Sequence, residues 1–276
     1  MSDLSLDVYV SPMVDLPAGG QFSPTSATLI LGDTEAILVD TPYMQDSLDE
    51  VIKRIEQSGR RLTTILVTHG HFDHYFGLSE LLERFPDARA LASDAVAASI
   101  AASLEQDRKQ VEQFFSGAGL DNTAAPSAPG DEVLAVDGEE VRLIDIEQAD
   151  INPASIVHIP SLAAVIAGDA VYNGINPMLA ATTPEQWQAW LRSINAVEAL
   201  DPQIVIAGHK QPGLPDDDLS ATVGATRAYI EEFASAVDQY DSSRELTKHM
   251  QERYPDYGNP SALIMSAATA MKRKKG

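Results

Sequence analysis

Three of the chain's six histidines and an aspartate fall within six consecutive positions, His69-Gly70-His71-Phe72-Asp73-His74. The β-branched and aliphatic residues before them, Thr63 to Val67, read as a buried strand. His69 and His71 are two apart and can point the same way from an extended turn. Asp73 and His74 follow at a helix start and can serve a second position. Imidazole nitrogen and carboxylate oxygen suit Zn2+, and also Fe, Mn, Ni or Co. One histidine after a strand is usually a polar turn. Three, with an aspartate, at this density point to a metal site.

Three more strand-type runs end on ligand-type residues: "AILVD" at Asp40, "AVIAGD" at Asp169 and "IVIAGH" at His209. Buried aliphatic strands give such polar tips the rigid base that a metal site needs. His158 sits inside a strand run and reads as a packed structural histidine. His249, on a late amphipathic helix, has no ligand-type neighbour.

The elements that must position these tips follow from periodicity. Ala27 to Leu31 and Ala36 to Asp40 form a hairpin about a polar turn. Leu48, Val51, Ile52 and Ile55 mark a helix that stops at Gly59. Leu78 to Phe85 is a short helix, Ala88 to Ala92 a strand, and Asp94 to Phe115 a longer helix with Val96, Ile100, Leu104 and Val111 on one face. Strands are expected over Glu132 to Val136, Val141 to Ile146, Ser155 to Ile159, Ala163 to Ala167 and Ile204 to Ala207. Thr183 caps a helix, with Gln186 at the reciprocal position and Pro184 in the first turn. The remainder reads as helices over Leu219 to Val237, Ser242 to Arg253 and Pro260 to Met271. Mixed strands and helices in this order suggest sheets covered by helices.

Bulk properties narrow the partners. Asp and Glu outnumber Lys and Arg by 41 to 19 in 276 residues, a formal charge of −22. Such a surface repels phosphate backbones and anionic lipid, so no nucleic acid and no membrane is expected as a partner. There is no cysteine, which excludes disulfides, thiolate nucleophiles and Cys-ligated metals. The N-terminal residues show no basic region followed by an apolar one, and no apolar run could span a bilayer. A soluble cytoplasmic protein acting on a small-molecule substrate is expected. Its oligomeric state is open, with a homodimer among the options.

The sequence resembles the metallo-β-lactamase superfamily. Its signature H-x-H-x-D-H matches His69, His71, Asp73 and His74, its later G-D matches Gly168-Asp169, and its final strand-end histidine matches Gly208-His209. The resemblance runs from about Ser26 to His209. It implies an α/β fold, an αββα sandwich of two mixed sheets flanked by helices, with metal at one edge. The chain is then a single such domain over 1–276, with a helical insertion at about 93–118 and a C-terminal helical extension at about 217–276. His69 and His71 would bind a first metal, and Asp73, His74 and His209 a second. Asp169 would bridge the two, and Asp40 would orient ligands by hydrogen bonds. The family supplies a third histidine to the first metal from a middle loop, here "RLIDIEQADINPASIVHIP". Alignment puts Gln148 at that place, with Asp150, two residues on, as the alternative. One or two divalent ions are implied, Zn2+ first, with Fe, Mn and Ni open.

The chemistry implied is hydrolysis of a small ester, lactone, thioester or amide by metal-activated hydroxide. Asp73 would orient the water and shuttle a proton. Tyr172 would donate to the developing oxyanion. Asn173 and Asn176 lie in the same loop and are candidates to face the pocket. The helix over 94–115 is a candidate lid, with Phe114 and Phe115 either lining a pocket or belonging to the core. Two alternatives remain: a metal-dependent oxidoreductase like a sulfur dioxygenase, and a non-catalytic relative with a degenerate metal site. A glyoxalase-type thioesterase is disfavoured, because the middle loop lacks further histidines. So is a tRNA-processing nuclease, because the surface is acidic.

Overall fold

The computed structural model describes residues 3–275. In chain order the strands begin with β1 (Ser5–Val10), β2 (Val14–Asp15), β3 (Gln21–Phe22), β4 (Ser26–Leu31) and β5 (Glu35–Val39). Helix α1 (Gln45–Ser58) leads to β6 (Arg61–Leu66), α2 (Leu78–Arg84), β7 (Arg89–Leu91) and α3 (Asp94–Phe115). Then come β8 (Leu134–Val136), β9 (Glu139–Ile146), β10 (Ala154–Ile159), β11 (Ala164–Ile166) and β12 (Tyr172–Asn173). Helix α4 (Pro184–Glu198), β13 (Ile204–Ile206) and β14 (His209–Lys210) follow, and α5 (Ala225–Gln239), α6 (Ser243–Arg253) and α7 (Pro260–Lys275) close the chain.

Two five-stranded sheets form, ordered β1-β4-β5-β6-β7 and β13-β11-β10-β9-β8. Both are mixed: β5-β6-β7 and β11-β13 run parallel, and the remaining pairs antiparallel. Alternation along each strand divides the side chains between two layers. Ile30, Ile37, Val39 and Leu66 meet Val157, Ile159, Ile166 and Ile206 between the sheets. Leu29, Leu38 and Ile65 face outward to α1, α2 and α3. Ile156, Val165 and Val205 face outward to the helices α4 to α7. This is the expected αββα sandwich. Among the described residues no helix is long and apolar enough to cross a membrane.

Most elements lie within a few residues of the sequence reading. Helix α1 ends at Gly59, whose φ of 67° is the left-handed conformation that glycine adopts without a Cβ clash. Thr183 and Gln186 form the capping box at α4. Strand β1 was not expected. It is an edge strand with half-exposed side chains, so burial leaves little pattern to read in its sequence.

Thr183→Ala removes the hydroxyl that caps α4 and is expected to lower stability by about 1 kcal/mol, or roughly 2–4 °C in Tm. Thermal unfolding followed by circular dichroism checks this; an unchanged midpoint refutes it.

Candidate metal centre

The strand ends converge at one rim of the sandwich because backbone bonds tie the sheets together there. Ser155 N–H donates to Thr68 O at 2.8 Å, and His69 forms an isolated bridge with Ala154. Ser26 N–H donates to Gly208 O and Gly208 N–H to Gly168 O, both at 2.8 Å. Gly208 has no alternative residue: a Cβ there would lie 2.2 Å from Asp169 Oδ1 and 2.6 Å from the Gly168 carbonyl carbon.

His69, His74 and His209 are buried, and His71 alone is part exposed, at 31% of its side chain. His69 Nε2 lies 3.6 Å from Asp169 Oδ2, and His71 Nδ1 lies 3.1 Å from Asp150 Oδ2. On the other side, His74 Nε2 is 3.3 Å from Asp169 Oδ1 and 3.6 Å from Asp73 Oδ2. His209 Nε2 is 3.1 Å from Asp169 Oδ2 and 3.5 Å from Asp73 Oδ2. Three sets of potential ligands result among the described residues, His69-His71-Asp150-Asp169, Asp73-His74-His209 and Asp40-His69-His74, each with its ligand atoms within 4.8 Å of one another.

The outer atoms of these rings are fixed. Asp40 stands at the end of β5 with φ 59°. Its Oδ1 accepts from Thr68 N–H, and its Oδ2 accepts from the Thr68 hydroxyl and from His74 Nδ1, at 2.8 to 2.9 Å. The Thr68 hydroxyl gives its only proton to Asp40, so towards His69 Nδ1, 2.9 Å away, it accepts. His209 Nδ1 donates to Pro24 O at 2.8 Å. In all three rings Nδ1 is committed to its partner, which leaves Nε2 as the nitrogen facing the cluster. Burial opposes a charge on His74 and His209, but the Asp169 carboxylate outweighs it and raises both imidazoles, so a cation entering there displaces the Nε2 proton.

That arrangement fits a cation. His69 Nε2, His74 Nε2, Asp150 Oδ1 and Asp169 Oδ1 are buried with no hydrogen-bond partner. Orphaned buried acceptors cost free energy unless something positive satisfies them. Burial and the neighbouring His74 push the His69 imidazole well below its ordinary range, so it is neutral, as a ligand must be. Burial opposes a charge on His71, but the Asp150 carboxylate outweighs it and raises the imidazole to about 9. A cation entering there displaces that proton.

Gln148 requires a correction. Its amide does not join this cluster: Nε2 donates to Ala149 O, Oε1 accepts from Gln186 Nε2, and the backbone N–H donates to Ser193 Oγ. Gln186 and Ser193 both belong to α4, which holds Gln148 away, and Asp150 takes the place beside His71. Tyr172 is at the site, with its hydroxyl donating to Asp169 Oδ2 at 3.1 Å and its ring stacked on His209. Asn176 lines the cavity, but its amide is spent on Gly258 O and the Tyr229 hydroxyl. Asn173 donates to Pro215 O. His158 lies on β10 opposite Arg142, and His249 is held by Tyr240 and Glu232.

A cavity of about 400 Å3 opens onto His71, Asp73, Asp150, Tyr172 and His209. Phe114 lines it, whereas Phe115 is in the core. The opposite wall comes from Asn259, Ser261, Ala262 and Met265 on and before α7. Asn259 donates to Ser23 Oγ at 2.6 Å, and Ser261 Oγ accepts from Gln21 N–H, which binds α7 to the β3 segment. The sequence gives no signal for that wall, because its residues have ordinary helical chemistry and lie far from the motif.

The profile of the Metallo-beta-lactamase superfamily matches residues 20–209. The chain is 30% identical over 161 residues to a hydroxyacylglutathione hydrolase of Acidiphilium cryptum, covering 58% of this chain and 55% of the relative. It is 42% identical over 64 residues to the enzyme of that name from Francisella philomiragia, covering 23% of this chain and 24% of the relative. The matches thus span about a quarter to about half of these relatives. Among solved structures, a metallo-beta-lactamase family protein of Thermus thermophilus superposes with a TM-score of 0.62 at 20% identity, covering 94% of this chain and 92% of the other. The FIM-1 metallo-beta-lactamase of Pseudomonas aeruginosa, in a mono-zinc form, gives a TM-score of 0.59 at 16% identity, covering 84% and 96%.

Asp150→Asn is expected to reduce bound zinc by about one ion per chain, whereas Gln148→Ala leaves it unchanged. Asp40→Ala should weaken metal binding by about 10–100-fold, through the lost support of His74 and Thr68. Metal analysis of dialysed protein reads all three. Loss of metal from Gln148→Ala would return the amide to the ligand set.

Proposed function

Because the chain belongs to the metallo-beta-lactamase superfamily, we propose that it is a metal-dependent hydrolase of a small ester, lactone, thioester or amide. The observation that carries the reading is the convergence of unpartnered buried acceptors on His69, His74, Asp150 and Asp169 beside a cavity. His69, His71 and Asp150 would hold one divalent cation, and Asp73, His74 and His209 a second, with Asp169 between them; zinc suits this nitrogen and oxygen set. The similarity to proteins named hydroxyacylglutathione hydrolase supports hydrolysis as the reaction type. A cytoplasmic setting, in keeping with the lack of cysteine, belongs to the same proposal.

A bound divalent pair supplies Lewis acidity, bringing the ionisation of water near neutral pH and polarising a carbonyl. The remaining work falls to the chain's own groups. Asp73 lines the cavity, and its Oδ2 accepts from the Thr25 hydroxyl at 3.1 Å, which fixes the carboxylate. From there it takes the proton of the attacking water and returns it to the leaving group. Burial, with the charges of Asp150 and Asp169, raises the Tyr172 phenol well above its ordinary range, so it remains a donor. It holds Asp169 and, by rotating its O–H, can meet the oxygen on which charge develops. Phe22, Phe72 and Phe114 along the cavity exclude bulk water from that charge.

Dialysis against a chelator is expected to abolish cleavage of p-nitrophenyl and lactone substrates, and Zn2+ to restore it. Asp73→Asn should lower kcat by about 10²–10⁴-fold with the fold intact. Full turnover by the stripped protein would overturn the reading. Tyr172→Phe should lower kcat by at least about tenfold with little change in KM, and equal kcat values would remove the hydroxyl from the mechanism.

A further inference from the structure

We propose that Asp107 determines the specificity of this cavity: its carboxylate receives a cationic head on a substrate whose apolar body lies along the phenylalanine wall. The proposal rests on the hydrolase reading and deepens it to a substrate class.

Asp107 is placed against the grain of its helix. Val96, Ile100, Val111 and Phe115 form the buried stripe of α3, and Asp107 falls on that stripe, seven residues after Ile100 and four before Val111. It is only 8% exposed, and it lines the cavity. A carboxylate on an apolar face is costly unless it is hydrogen-bonded or paired. Here it is hydrogen-bonded but not paired. Oδ2 accepts from the Tyr75 hydroxyl at 2.7 Å and from Ser103 Oγ at 2.6 Å, and both donors are neutral. No Lys or Arg among the described residues forms an ion pair with it. The adjacent Arg108 is turned to Glu105 and Asn122. The charge is therefore held in place and left unneutralised at a cavity wall.

The rest of the lining sharpens the selection. None of the described lining residues is Lys or Arg. The other lining carboxylates, Asp73 and Asp150, belong to the metal-ligand cluster, so Asp107 is the one whose charge no proposed cation offsets. Phe22, Phe72, Phe114, Met178 and Met265 line the same cavity and supply its apolar surface. A head group of opposite charge about 6 Å from Asp107 is favoured, and one of like charge opposed, by about tenfold each at an effective dielectric between those of the protein surface and water. An anionic peptide thioester such as a glutathione conjugate meets no Lys or Arg among the described lining residues and faces the Asp107 carboxylate, although the similar proteins carry the name hydroxyacylglutathione hydrolase.

The test compares three esters of matched length on the zinc-loaded protein: p-nitrophenyl 6-aminohexanoate (cationic), p-nitrophenyl hexanoate (neutral) and mono-p-nitrophenyl adipate (anionic). The expected order of kcat/KM is cationic, neutral, anionic, with about tenfold between neighbours. Asp107→Asn keeps an oxygen for Tyr75 and Ser103, and should compress the cationic-to-anionic ratio by about tenfold or more. That ratio is insensitive to a general loss of activity. Gln110→Lys places a cation on the same wall at a half-buried position, and should lower the ratio similarly; it carries the test if Asp107→Asn does not fold. A wild-type ratio near one, or a ratio unmoved in both folded variants, overturns the proposal while leaving the hydrolase reading intact. Failure of the loaded protein to cleave any of the three esters, or the matched lactone, thioester and amide, sinks the hydrolase reading itself.

Discussion

Everything in this structure is organised around a group of carboxylates and imidazoles that burial alone would make unfavourable. Asp40, Asp73, Asp150 and Asp169 are buried within one rim of the sandwich, together with His69, His74 and His209. Burial penalises each carboxylate charge, and mutual repulsion adds to the penalty. Burial pushes the Asp169 carboxyl up, yet the charges of His209 and His74 outweigh it and hold it well below its ordinary range. Within the cluster, His69 Nε2, His74 Nε2, Asp150 Oδ1 and Asp169 Oδ1 still lack a hydrogen-bond partner. A divalent cation, which these groups could hold, would convert this frustration into a stable arrangement.

The scaffold holds the cluster by anchoring the outer nitrogen of His69, His74 and His209. Asp40 is the clearest case: one carboxylate fixes the Thr68 backbone, the Thr68 hydroxyl and His74 together, and through Thr68 it sets the orientation of His69. The glycines before Asp169 and His209 let two loops approach to a distance that a side chain would forbid. Gly168 takes φ 48° there, and a Cβ on it would lie 2.6 Å from Thr68 Oγ1. Rigid strands and tight loops therefore fix the site before any ligand arrives.

Above this polar floor the cavity changes character. The sandwich provides the ligands, but α3, α7 and the β3 segment provide the walls. These lie outside the contiguous motif and set what can reach the floor. On the proposed reading, the reaction type and the choice of substrate are carried by different parts of the chain, as expected where one scaffold serves many chemistries.

The sequence by itself determined the ligand types, the strands that carry them and the layered fold. Each of these is local: a six-residue cluster, aliphatic runs with polar tips, and apolar periodicities of two and 3.6 residues. Asp107 was not singled out by the sequence reading of α3; its burial on the apolar stripe and its partners Tyr75 and Ser103 came from the structure. What tertiary structure decided was every choice between neighbours. Gln148 and Asp150 are two residues apart in one loop, and only the anchoring of Gln148 to Gln186 and Ser193 on α4 turns Asp150 to His71. Phe114 and Phe115 are adjacent, and only the packing of α3 places one in the cavity and the other in the core. Such choices depend on contacts between residues far apart in the chain, whose geometry no local pattern encodes.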